Sequence, residues 1–584
     1  MIKGIIQKKY DSALADVLDE IRKERNDDPI LPLYARIKEI ELERPKNNLA
    51  DYSISELFHF ARDYKIDPNI LAKRVADKIL NDKPDEISEV VANGGYINFF
   101  LSHSYLQKQL KEISESKESY GTSNFGQGKA VIIEYSQPNI AKKMHVGHLR
   151  TTILGDALAN IYEMSGYKII RWNYLGDWGT QFGKLITAYK LWGNEAAVKS
   201  APIETLHELY VKFHAEAKKD PDLDVRAQAE FKKLEEGDEE NHRLWQWFKA
   251  ESLKSFDHVY ARLGIKFDVD IGESFYEKQL KGLVADLVAK GIAQESEGGV
   301  VIKLDAYGLP PALIRKSDGA SLYLTRDIAN LRYRLDEYRP NKILYVVGNE
   351  QSLHFEQLFA IAKILGLTRA KLNHVKYGLV LGENKKKLAT REGRTIFLED
   401  VLNRAVALAR QIVENKNPAI AEDEKEKIAG TVGVGALKYE LLKEHRNSDV
   451  VFDWQRMLDF SGNSAPYLQY TYTRLTSITA KAATLGTIKA DFSKIAESSE
   501  LALIKQIIEF PDVLGQCQAA DLTNPLALYL FDLANRANNF YEKVRVLNDE
   551  DQTRLGARLT MIKTVAAVLS RGLAILGIGT LKQI

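Results

Sequence analysis

"KAVIIEYSQPNIAKKMHVGHLRTTILGDALANIYEMSGYKIIRWNYL", residues 129–175, decides the fold. It passes from an apolar, β-branched strand pattern (KAVIIEYS) through a loop carrying His145, Gly147 and His148 into a helical pattern, LRTTILGDALANIYEMSG, that stops at Gly166. A second strand pattern, YKIIRWNYL, follows. Strand, loop, helix, strand, with the special residues in the first loop, is the nucleotide-binding half of a doubly wound parallel sheet. The stretch YLGDWGTQFGK (174–184) then closes the second strand with three glycines where a nucleotide would lie, which puts Gly176 and Asp177 on the nucleotide side.

A helix N-terminus presents unpaired N–H groups and partial positive charge, so a glycine-containing loop there suits phosphate. His145 and His148 can add donors where charge builds up during phosphoryl or nucleotidyl transfer, and Asn139, Lys142 and Lys143 precede them. Alone, the pair also reads as a solvated first helical turn; a metal reading lacks an obvious third ligand. Far downstream, GENKKKLATREGR (382–394) is a basic loop bounded by glycines, either a solvated charge run or a mobile clamp over a triphosphate.

Outward from this unit, residues 178–322 are mostly charged helix with a strand-like GGVVIKL, as in an insertion between two halves of a sheet. DIANLRYRLDEY and KILYVVG then read as a helix feeding a buried parallel strand. Beyond about residue 400 the periodicity is helical. Before about residue 120, helical patterns alternate with a strand-like GYINFFLS, and GTSNFGQGK reads as a linker. The expected domains are 1–120, 121–400 with an insertion at about 185–315, a helical connection 401–460, and a helical region 461–584.

The 584 residues exceed one ordinary core and call for roughly three or four domains. Lys+Arg 81 against Asp+Glu 80 leaves +1, so no global field draws in nucleic acid and any polyanion site is a local patch. Cys517 is the only cysteine, which excludes an internal disulfide framework and a Cys-based zinc cluster within one chain. The acidic N-terminal stretch does not read as a leader and no apolar run is long enough to span a bilayer, so a cytoplasmic protein with no membrane partner is expected.

These blocks together resemble a class I aminoacyl-tRNA synthetase, and within that class the arginyl-tRNA synthetases. HVGH is similar to the class signature beside ATP, and KLATR sits where the second, lysine-rich signature belongs. SQPNIAKKMHVGHLR, YLGDWGTQFG, YLTRDIANLRYR (323–334), YVVGNEQSLHFEQL (345–358) and SAPYLQYTYTR (464–474) point to the arginyl branch and occur in family order.

The resemblance implies a multidomain chain with an α/β Rossmann-like class I synthetase catalytic core, an N-terminal α+β domain and a C-terminal all-α helical bundle. It implies two steps: arginine and ATP give arginyl-adenylate and pyrophosphate, and arginine passes to the terminal 2′-OH of tRNA(Arg). The substrates implied are L-arginine, ATP with Mg2+, and tRNA(Arg). Protein-bound zinc and DNA are not implied, and a monomer is the family expectation. By resemblance His145, Gly147, His148, Gly176 and Asp177 face ATP, with Lys387 on the mobile loop. Thr390 stands where the class carries a second loop lysine, and Leu388 and Ala389 replace its common Met and Ser; Lys142 holds the place of a compensating lysine, with Lys143 beside it. Glu134, Tyr323 and Asp327 fall at the guanidinium end of the substrate, and Asn139 and Gln351 at the rest of it. A guanidinium offers five donors in a fixed plane, so its pocket needs a carboxylate and neutral acceptors, and such a pocket discriminates without an editing domain. Gln137 replaces a serine frequent in the family.

Residues 461–584 hold 13 Lys/Arg and 11 Asp/Glu, so tRNA recognition there must use stacking and base edges. Tyr467, Tyr470 and Tyr472, or Asn535, Arg536, Asn538 and Asn539, are the candidates, against the alternative that the tyrosines pack a helix bundle. The N-terminal domain resembles the family's tRNA-corner appendage. Two rivals remain: an H-x-G-H nucleotidyltransferase of small molecules, for which the helical tail is too long, and a synthetase-derived tRNA-binding protein without catalysis.

Overall fold

Apolar spacing of three and four buries Ile2, Ile6, Tyr10, Ala13, Leu14, Val17, Leu18 and Ile21 along one face of a first helix, α1 (Ile2–Arg25). The computed structural model describes residues 2–25, 42–45, 49–55, 57–317, 322–382, 396–486 and 488–582, which divide into two units. The unit containing α1 is assembled from Met1–Glu118, Thr479–Ile508 and Arg536–Thr564. It carries β1 (Tyr52–Ile54), α2 (Pro68–Asn81), β2 (Ile87–Asn93), β3 (Tyr96–Leu101) and α3 (His103–Ser116). The strands pair antiparallel in the order β1-β3-β2. Gly94 and Gly95 (φ +59° and +83°) make the two-residue β2–β3 turn, which needs left-handed backbone at both positions. On α3, Gln107 donates to the carbonyls of Ser493 (3.1 Å) and Ile495 (2.8 Å), tying the later segment in.

The other unit takes Ser119–Ile478, Glu509–Asn535 and Val565–Ile584. Its core elements are β4 (Ala130–Glu134), α4 (Val146–Met164), β5 (Lys168–Leu175), α5 (Pro202–Ala217), α6 (Glu239–Leu263), β6 (Val269–Gly272), α7 (Tyr323–Glu337), β10 (Lys342–Tyr345), α8 (Ser352–Ile364) and β11 (Lys371–His374). A small antiparallel sheet, β7 (Ala293–Ser296), β8 (Gly299–Ile302) and β9 (Ala312–Arg315), lies between β6 and α7 in the chain. The central sheet is parallel throughout, in the order β11-β10-β4-β5-β6. Val131, Ile132 and Ile133 have no exposed surface, as expected of a strand covered on both faces. The first strand is central, its successors lie to one side and β10 and β11 to the other, so the strand order reverses between β4 and β10. Ligands bind beyond the carboxyl ends of strands at such a reversal.

The insertion expected over about 185–315 is interrupted, because β6 within it joins the central sheet as an edge strand. Its sequence, VDIG, is short and half polar, which hides a strand from a periodicity reading. Past β11, β12 (Val380–Leu381) pairs in parallel with β13 (Val450–Val451). The described residues after 396 are otherwise helices and their connections.

Candidate active site

At the carboxyl end of β4 the chain turns through three non-glycine residues with left-handed backbone, Ser136 (φ +75°), Gln137 (+54°) and Ala141 (+60°). Each costs about 1–3 kcal/mol and persists only where its surroundings enforce it. Here they do: Ser136 Oγ is 2.7 Å from the Tyr260 hydroxyl and accepts from Thr152 Oγ1 at 3.0 Å, and Ala141 N–H donates to Ser252 Oγ at 2.9 Å. Asn139 forms a parallel bridge with Gly176; a side chain at 176 would put its Cβ 2.3 Å from Asn139 Oδ1. Gly176 is therefore required by close approach of the loop.

His145 caps α4. Its Nδ1 accepts from Gly147 N–H at 3.0 Å, while its own N–H donates to His148 Nδ1 at 3.1 Å, a reciprocal capping box built from two imidazoles. Because both Nδ1 atoms accept, the hydrogen-bond network assigns each neutral ring its proton on Nε2. Burial, aided by the Lys142 charge, lowers the His145 pKa; burial, with His145 beside it, pushes His148 down to about 3. Both rings are thus neutral donors at neutral pH. With Gly147, Gln137, Gly348 and Gln351 they border a cavity of about 630 Å³.

The two lysines before the histidines diverge. Lys143 Nζ is 2.7 Å from Glu204 Oε1 and 5.3 Å from the Phe397 ring centre; Lys142 Nζ lies 4.9 Å over Tyr210, also on α5. Lys143 is neutralised by a carboxylate, whereas the recorded contact of Lys142 is with an aromatic face that leaves its charge intact. Lys387 lies outside the described residues.

Arg150, one turn into α4, is buried and donates to four carbonyls: Gly378 (2.5 Å), Leu379 (3.2 Å), Arg446 (3.1 Å) and Ser448 (2.8 Å). Burial pushes its pKa down to about 10 against the pull of Tyr377, Asp449 and Glu444. It fixes the segment leading into β12, which lines the cavity through Gly378 and Leu379, to the segment leading into β13.

Beside this cavity stand carboxylates that already hold cations. Sheet register puts Glu134 between Tyr345 and Trp172. The Arg334 guanidinium covers all three, 4.3 Å from the Trp172 ring and 5.6 Å from Tyr345, and donates to Glu134 Oε2. Gln137 Nε2 donates to Glu134 Oε1 at 2.5 Å. Burial raises the Glu134 pKa against the pull of Arg334. Asp327 Oδ2 lies 2.6 Å from His354 Nε2. Glu273 Oε2 is 3.9 Å from Arg326, and burial pushes the Glu273 carboxyl up to about 8. Tyr323, at the start of α7, is 67% exposed. Glu273, His354 and Arg334 are additions to the sequence-derived set. Arg334 is seven residues after Asp327, two helical turns along the same face, a legible spacing; Glu273 carries no such signal.

One expectation is corrected. Asp177 does not face a nucleotide: it is fully buried and accepts from Lys249 Nζ (2.5 Å), Ser274 N–H (2.8 Å) and Ser274 Oγ (2.7 Å). Gly272, lacking a side chain, makes room for that carboxylate. Among the tRNA candidates, Tyr467 is half-buried, its hydroxyl 2.7 Å from Asn535 Oδ1 and its ring edge-on to Phe531. Tyr470 is exposed beside Arg474, Lys416 and Phe460. Arg536, half-buried, and Asn539, exposed, belong to the unit that contains α1.

A parallel sheet whose reversal point carries an imidazole-capped helix is the architecture of a class I tRNA synthetase core, and residues 109–454 match the family described as tRNA synthetases class I (R), catalytic domain. Residues 6–101 match the arginyl tRNA synthetase N terminal domain, and residues 468–584 the DALR anticodon binding domain. The chain belongs to the arginyl-tRNA synthetase family. It is 42% identical to an arginine–tRNA ligase of Clostridium botulinum over 92% of this chain and 95% of that one. It is likewise 42% identical to an arginine–tRNA ligase of Halothermothrix orenii, over 92% and 94%. The crystal structure of arginyl-tRNA synthetase from Plasmodium falciparum superposes with a TM-score of 0.80 at 26% identity, covering 99% of each chain.

Proposed function

We propose that the protein is an arginine–tRNA ligase that activates L-arginine with ATP and transfers it to tRNA(Arg). The observation that carries this reading is the link, through Gln137, of two Nε2–H imidazoles at a helix N-terminus to a group of acidic side chains, Glu134 with Asp327 and Glu273 near it: Gln137 borders the imidazoles' cavity and donates to Glu134. The first suits a triphosphate and the second a guanidinium. Asn139 and Gln351 hold the remainder of the amino acid. The arginine carboxylate attacks the α-phosphate, and the step is mostly positioning and charge neutralisation.

In this reading His145 and His148 donate to phosphate oxygens, and Lys142, with Lys387 from the following loop, offsets charge on the departing pyrophosphate. Mg2+ would be carried largely by the triphosphate oxygens, which supply the hard ligands it prefers. The tRNA is held by the helical region through Tyr470, with Tyr467, Arg536 and Asn539, and by the N-terminal domain.

Arginine-dependent ATP–pyrophosphate exchange, run with and without total tRNA and with lysine and glutamate as controls, tests the assignment. Exchange with arginine and tRNA together, and with neither control, is the expected result. Folded protein that binds tRNA yet exchanges under no condition would make it a non-catalytic member of the family.

A further inference from the structure

Two carboxylates around the guanidinium pocket are each bonded to a cation from this chain, Glu134 to Arg334 and Asp327 to His354, while Arg326 bonds Glu277 and lies 3.9 Å from Glu273. Arginine side chains keep their charge at every pH the enzyme meets. His354 is the one counter-ion able to give its charge up. Its side chain is 23% exposed and that of Asp327 19%, so a proton has a route to water.

We propose that His354 and the substrate guanidinium compete for Asp327, so that binding of arginine drives a proton from His354 into solvent. The proposal rests on Asp327 being a guanidinium acceptor. An incoming guanidinium places a second full positive charge on a carboxylate that already holds an imidazolium. Loss of one proton removes that repulsion, yet the neutral ring with its hydrogen on Nε2 still donates to Oδ2. His354 thereby positions Asp327 in both states and makes the affinity for arginine depend on pH.

The groups acting on His354 favour its charged form. Burial opposes the charge, but the bond to Asp327 and the fields of Asp327 on α7 and Glu134 on β4 outweigh it and hold the His354 pKa above its ordinary value. Asp327 in turn faces Glu273 and the phenols of Tyr174 and Tyr345. Below its pKa His354 is charged and must lose its proton, which weakens arginine binding by up to about tenfold per pH unit; above it the dependence vanishes. Glu273, when protonated, releases a proton on the arrival of a cation with the same sign, so the comparison that isolates His354 is with a variant.

The test is calorimetric titration of the full-length protein with L-arginine at pH 7 in phosphate and in Tris. It is paired with the KM for arginine in tRNA charging from pH 6 to 9, for the wild type and for His354→Gln, whose amide keeps a donor toward Asp327. Wild type is expected to release up to one proton more than the variant. Its KM is expected to fall several-fold more than the variant's between pH 6 and 8, with kcat little changed. Equal proton release and parallel KM profiles would overturn the proposal. Should His354→Gln not fold, the titration is repeated with Glu273→Gln, which removes the competing proton: release must persist at pH 7 and shrink at pH 9, and its loss at pH 7 or its persistence at pH 9 overturns the proposal. Failure to bind arginine at all would instead overturn the assigned function.

Discussion

Lys142 and Lys143 are neighbours in sequence with different surroundings, and their difference is testable one residue at a time. Glu204 neutralises Lys143, while Lys142 keeps its charge over Tyr210 and close enough to His145 to depress that imidazole. Lys142→Ala should lower the rate of adenylate formation by about 10²–10³-fold, the usual cost of one lost transition-state donor. Lys143→Ala should cost less than about tenfold, both read by single-turnover adenylation. The sequence places both lysines before the histidines but cannot say which one is free, because Glu204 and Tyr210 arrive from a helix some sixty residues away. The reading of Asp177 failed for a related reason. A glycine-rich turn after a strand looks like a phosphate loop, yet this side chain turns inward to Lys249 and Ser274, partners set by tertiary packing. Tyr323, Asp327 and Gln351 enter the candidate set through the family blocks; the pairing of Asp327 with His354, across 27 residues and two helices, follows no local spacing rule.

Elements with strong patterns were legible: β4, α4 and β5 occupy nearly the stretches their apolar spacing predicts. The strand β6 was not, since four residues are too few for a period to be detected. The cap of α4 combines both cases. The H-x-G-H spacing announces a helix start, but the structure adds that each histidine spends its Nδ1 on the cap and keeps only Nε2–H for a ligand. Arg150 continues that element into the opposite wall by holding four carbonyls from two segments. Arg150→Met keeps the stem and removes those donors. It should destabilise the site by about 2–4 kcal/mol and raise the KM for ATP, read by thermal scans with and without ATP.

At the scale of the molecule, the unit that begins with α1 is discontinuous, drawing on Met1–Glu118, Thr479–Ile508 and Arg536–Thr564. Lys505 Nζ sits 2.6 Å from Asp51 Oδ1, and the buried Ile495, Ile504 and Ile507 lie in its second segment. Deleting residues 1–118 should therefore not remove a module cleanly. It should leave apolar surface on 479–508 and 536–564 uncovered, lower the unfolding temperature and produce aggregates in size-exclusion chromatography, whereas a separable appendage would leave a monodisperse remainder. The same discontinuity sets a schedule during synthesis. The first 118 residues leave the ribosome early, but their remaining partners end at Thr564. At roughly 5–20 residues per second they wait on the order of a minute. For that interval the earliest-made part of the protein cannot finish folding.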